Sequence, residues 1–178
     1  MFLNPEEIIK SFNLNPAMVV ADFGCGSGYY SLAAAKAVGH SGIVYAVDIQ
    51  KNLLEAVKSA AEARHLNNIE IIWANIEGEK GCHLASGVAD FVIVSNILFQ
   101  AESKEKIAKE AFRILKDNGR AALIEWNSLA KFGPKQGMAL AKEEAQKIFI
   151  KEGFKLEREF LAGENHYGLM FKKINYTR

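Results

Sequence analysis

With 178 residues, 49% of them hydrophobic, the chain is long enough for one well-packed domain and too short for two ordinary ones. Lys and Arg total 22 against 21 Asp and Glu, so no long-range field favours a nucleic acid or an anionic membrane. The two cysteines, Cys25 and Cys82, lack C-x-x-C spacing and paired histidines, which argues against a zinc site and for free thiols in a cytoplasmic protein.

The start, MFLNPEEIIKSF, has neither the basic end nor the unbroken apolar core of a signal peptide. No apolar run approaches the roughly 20 residues of a membrane helix. Asn4-Pro5-Glu6-Glu7 instead predicts a helix start, with Asn as cap, Pro in the first turn and acids at the positive end of the dipole. That helix is expected to reach about Asn13, and residues 1–17 form a candidate lid. VVADF (Val19 to Phe23) is a compact apolar strand running into glycines, and YYSLAAAKAV is a helix that Gly39 is placed to end.

The alternation then repeats. IVYAVD (Ile43 to Asp48) is a buried-type strand, and a helix from Asn52 to Leu66 sets Leu53, Val57, Ala60, Ala61 and Arg64 at helical spacing. Ile69 to Ala74 and Ala89 to Ser95 are further strands. The helix Ser103 to Leu115 puts Ile107, Ala111, Ile114 and Leu115 on one face. Asn118-Gly119 is expected to close it before a strand from Arg120 to Trp126. A last helix, about Ala141 to Lys151, precedes KLEREFL and HYGLMFKK, which read as an antiparallel hairpin. Strands rich in Val, Ile and Ala between amphipathic helices predict an α/β fold: a Rossmann-like three-layer α/β/α sandwich, one domain over 1–178, around a seven-stranded, mostly parallel sheet with a C-terminal antiparallel hairpin.

The chemistry concentrates at DFGCGSGYY, residues 22–30, where a strand meets a helix. A dinucleotide fingerprint, G-x-G-x-x-G, needs a third glycine where Tyr29 stands, which weakens an NAD(P)-dependent oxidoreductase reading. Asp22, Gly24, Gly26 and Gly28 resemble instead the first motif of the class I S-adenosylmethionine-dependent methyltransferases, and Asp48, closing the second strand, suits ribose hydroxyls. The competing reading of Asp48 is a cap on the helix beginning near Lys51.

The resemblance runs through nearly the whole chain, and its nearest subgroup is the small-molecule enzymes that C-methylate ubiquinone and menaquinone precursors. It implies S-adenosylmethionine as methyl donor and S-adenosylhomocysteine as product. It implies binding by Asp22, Gly24, Gly26, Gly28, Tyr29, Asp48 and Ile49, with Asn75 near the adenine amino group, Ile76 against the ring and Ser95 at the end of the fourth strand. Tyr29 or Tyr30 is expected over the methionine end, the other being packing. Asn96, Glu125 and His166 are candidates for work at the acceptor, and Phe99, Trp126 and Phe132 for an apolar pocket. The absence of an Asn/Asp-Pro-Pro-aromatic motif, a Pro-Cys pair or an arsenic-type cysteine set favours a small-molecule acceptor, and a monomer or homodimer is expected. A non-catalytic or partner-dependent S-adenosylmethionine-binding protein stays open as the alternative.

Overall fold

The computed structural model describes residues 4–127, 130, 133–135 and 137–174. Asn4 caps α1 (Pro5–Ser11), its Oδ1 accepting the amides of Glu6 at 3.1 Å and Glu7 at 3.4 Å. The chain then alternates through β1 (Val19–Phe23), α2 (Tyr29–Val38), β2 (Ile43–Asp48), α3 (Lys51–Glu62), β3 (Ile69–Trp73), β4 (Ala89–Ser95), α4 (Lys104–Ile114), β5 (Leu115–Trp126), α5 (Lys142–Lys151), β6 (Phe154–Leu161) and β7 (His166–Lys173).

All seven strands belong to one sheet in the order β3-β2-β1-β4-β5-β7-β6. Neighbours among β1 to β5 run parallel, while β7 is antiparallel to both β5 and β6. The expected Rossmann-like sandwich and its closing hairpin are therefore present. Strands β1 and β4 are buried on both faces, as their unbroken apolar runs require. One core joins the sheet to α4 and α5; a second joins the opposite face to α1 and α2, with α3 beside it over Ala46.

Three boundaries differ from the sequence expectation. Helix α3 stops at Glu62, and His65 turns into the left-handed region (φ 54°). Its buried face is Leu54, Val57 and Ala61; Leu53 is half-buried and Arg64 exposed. Asn118-Gly119 does not end α4. Leu115 already pairs with Ala89, and the register then shifts so that Phe91 meets Arg120, with Asn118 left-handed in the intervening bend. Helix α1 is also shorter than expected, ending at Ser11.

Its carboxyl end is anchored. Phe12 is fully buried, stacked on Phe91 at 5.2 Å and edge-on to Phe160 at 5.3 Å. Arg158 donates to the Ser11 carbonyl and Arg120 to that of Asn13. Only the first turn of α1, at Pro5, borders the crevice outside the carboxyl ends of the parallel strands.

Candidate functional site

Strand order reverses between β1 and β4, since the chain winds outward through β2 and β3 before returning to β4. In open parallel sheets that crevice, outside the carboxyl ends of the strands, is where ligands bind. A cavity of about 530 Å³ opens there, walled by the glycine corner, the ends of β2 and β3 and the turn after β4. It gathers Asp22, Gly24, Gly26, Tyr29, Asp48, Ile49, Asn75, Ile76, Ser95 and Asn96 from the sequence candidates.

The three glycines take positive φ for different reasons. A Cβ on Gly24 would lie 2.2 Å from Ile97 Cγ2, and one on Gly28 would lie 2.6 Å from Val57 Cγ2. Both are small so that another part of the chain can enter. Gly26 faces open space, with nothing nearer than the Gly24 carbonyl at 4.0 Å, so its bare backbone is the stretch accessible to a ligand.

Asp48 joins the glycine corner to the turn ahead of α3, whose cap position is Gln50. Its Oδ1 accepts the Gln50 amide at 2.9 Å, just ahead of α3, and its Oδ2 accepts the Gly26 amide at 2.9 Å. The carboxylate is nearly buried and lines the cavity with lone pairs to spare. Asp22 is 1% exposed and accepts the Ser31 hydroxyl at 2.6 Å, tying α2 to β1. Burial pushes its carboxyl up to about 6. Asn75 uses Oδ1 to accept the Glu77 amide at 3.0 Å, while Ile76 is buried and Ile49 is 58% exposed.

At the other end, Ser95 and Asn96 close β4. Asn96 adopts a left-handed backbone (φ 55°) and its buried Oδ1 has no hydrogen-bond partner. Tyr29 is 68% exposed at the mouth, whereas Tyr30 is buried beneath it.

Glu125 and His166 do not line this cavity. Glu125 is fully buried, with Oε1 accepting the Leu98 amide at 2.7 Å beneath the turn Leu98–Gln100. Burial pushes its carboxyl up to about 7. His166 packs on Trp126, with ring centroids 4.0 Å apart, and borders a separate cavity of about 360 Å³ near the start of α5. Burial lowers its imidazole below the usual value. Phe99 is half-buried beside the main cavity and is not on its wall, and Phe132 lies outside the described residues. Sequence reasoning missed Leu53, Ile97 and Gln100 as wall residues; only their nearness to the motifs signalled them.

Among the described residues no group of three His, Cys, Asp or Glu side chains could hold a metal, and no helix is long and apolar enough to cross a membrane.

A family model described as a methyltransferase domain matches residues 14–167. The chain belongs to that family. The methyltransferase domain is similar to demethylmenaquinone methyltransferases from Geobacillus sp. (strain WCH70), 27% identical over 131 residues, and Bacillus mycoides (strain KBAB4), 26% over 155. These alignments cover 74% and 87% of the chain but 55% and 64% of the relatives, so the domain spans less than two thirds of their length. A crystal structure of a SAM-dependent methyltransferase from Aquifex aeolicus superposes with TM-score 0.88 at 24% identity, covering 97% of this chain and 91% of that one. The [4+2]-cyclase SpnF superposes with TM-score 0.80 at 12% identity, over 95% of this chain and 79% of its own. The shared architecture is the class I methyltransferase fold.

Proposed function

We propose that this domain transfers a methyl group from S-adenosylmethionine to a small-molecule acceptor in the cytoplasm. The observation that carries the reading is the cavity at the strand-order reversal, with the bare Gly26 backbone and the Asp48 carboxylate on one wall, in a chain of the methyltransferase-domain family. In this reading Asp48 takes the ribose hydroxyls. Ile49 and Ile76 flank the adenine and Asn75 meets its amino group. Gly24, Gly26, Gly28 and Ser95 border the methionine end, with Tyr29 at the mouth and Asp22 bracing the corner from behind.

Bound there, the donor supplies an activated methyl on a sulfonium. The chain's own part is to hold the acceptor in line at about 3 to 3.5 Å and to exclude water, so positioning supplies much of the acceleration. Each carboxylate on the wall accepts at least one hydrogen bond within the protein: Asp22 from Ser31, Asp48 from two amides, and Glu77 from the Ser103 amide at 2.6 Å. The three histidines outside the second cavity, like His166, are absent from this wall. In this reading the acceptor brings its own ionised nucleophile, an acidic carbon or a phenol, and Asn96 orients it through its amide. The relatives' name makes demethylmenaquinone the first acceptor to try.

Calorimetry with S-adenosylmethionine, S-adenosylhomocysteine and NAD tests the donor. Saturable binding of the first two alone is expected; binding of NAD alone would overturn the reading. Because the same fold also occurs in a cyclase, incorporation of labelled methyl into acceptors separates transfer from binding without catalysis.

A further inference from the structure

The last rung between β4 and β5 is the Asn96 amide, which donates to the Ile124 carbonyl at 2.9 Å. Asn96 then turns left-handed and lifts the chain off the sheet. The next inward-facing amide, that of the fully buried Leu98, donates to a side chain instead: Glu125 Oε1, at 2.7 Å. The amides of Ile97 and Phe99 also lie near enough to favour the carboxylate. Glu125 thus adds one rung to the ladder after the strands have parted. An apolar residue at this position would leave the Leu98 amide buried and unpaired, which is costly.

The turn held in this way supplies one side of the 530 Å³ cavity, through Asn96, Ile97, Gln100 and Ala101. Ile97 also occupies the space that a Cβ on Gly24 would need, so the turn and the glycine corner are in contact. Glu125 itself is fully buried and has no part in the cavity wall, so an acceptor in the cavity does not reach it to give up a proton. We propose that Glu125 is a positioning residue: by holding the Leu98 amide it fixes the turn after β4, and with it the width of the cavity between that turn and the glycine corner. Its effect on ligand binding rests on the donor reading given above. The work expected of Glu125 at the acceptor is thereby replaced by work on the wall.

Glu125→Gln keeps an acceptor oxygen for the Leu98 amide, and Glu125→Ala removes it. By calorimetry, Glu125→Gln is expected to bind S-adenosylhomocysteine as the unaltered protein does. Glu125→Ala is expected to lose about tenfold, the scale of a buried amide left without its acceptor. An equal loss in both variants, or none in Glu125→Ala, overturns the assignment. Nuclear magnetic resonance gives a readout that needs only the glutamine variant. Burial raises the Glu125 carboxyl to about 7, so the Leu98 amide proton and the Ile97 methyls are expected to shift together through that pH in the unaltered protein, and not in Glu125→Gln. Tyr167, paired with Glu125 across β5 and β7, is held neutral by burial, with Glu143 and Glu144 beyond it. Asp22, in the strand below the glycine corner, and His166, beside Trp126, are common to both proteins, so the difference between the two titrations belongs to Glu125. A shift confined to Leu98, or absent from both residues, overturns the proposal. If the two resonances move together but the unaltered protein binds no S-adenosylhomocysteine, the positioning role stands and it is the donor reading that fails.

Discussion

Asp48, proposed for the ribose hydroxyls, also carries structure. Each oxygen already accepts an amide, one from the glycine corner and one ahead of α3, so it fixes the corner's shape before any ligand arrives. Asp48→Ala is expected to weaken S-adenosylhomocysteine binding by roughly 1.5 to 3 kcal/mol, the range for charged hydrogen bonds, while lowering stability through the freed amides. Asp48→Asn retains an acceptor oxygen, so it should lose less of each; calorimetry and urea unfolding separate the two effects. Glu125 makes a prediction about pH. Its carboxyl is raised to about 7 by burial, so the fold favours the protonated form. Its stabilisation is complete below the unfolded value near 4.5 and is lost as pH rises through about 7. That amounts to an order of magnitude of about 3 kcal/mol. Urea unfolding of Glu125→Gln should show a flatter decline in stability between these limits than the unaltered protein. Asp22, raised in the same direction, leaves a residual slope. An identical decline in the variant would remove Glu125 as its source.

Among the elements, α1 is held by its last turn. Phe12 fills a fully buried site between Phe91 and Phe160, and Phe12→Ala is expected to cost about 3 to 5 kcal/mol, read as a lower urea midpoint. The strands and the glycine corner were legible in the sequence because buried parallel strands are continuous apolar runs and a strand-to-helix turn needs glycine. Helix α3 was harder to read, because Leu53 and Leu54 are adjacent and both lie one turn from Val57, so spacing alone does not decide which points inward. The start of β5 was hidden because Asn118-Gly119 marks a turn equally well after a helix or within a bulged strand. The two tyrosines were indistinguishable for a similar reason: one step of helix rotation sends Tyr29 outward and Tyr30 under it. His166 and Glu125 look reactive as letters, and only the tertiary structure places them behind or beside the cavity.

For the molecule as a whole, a ligand that occupies the crevice only in the folded state must stabilise every element that builds it. At a hundredfold excess over its dissociation constant, S-adenosylhomocysteine is expected to add about 2.7 kcal/mol. A thermal scan should show an upward, concentration-dependent shift in the melting midpoint. An unmoved midpoint at saturation would mean that the unfolded chain binds equally well.

The contact between Gly24 and Ile97 sets an order of events during folding. The glycine corner follows β1, but the side chain that packs into it arrives only after β2, α3, β3 and β4 have been laid down. The Val19 amide likewise waits for Asp90, 71 residues on, which it meets at 2.8 Å. Contacts this distant in sequence form slowly, because the intervening chain must first be drawn closed. The cavity at the strand-order reversal is thus among the later structures to be completed, and a nascent chain that has exposed only its glycine motif has no such cavity to offer.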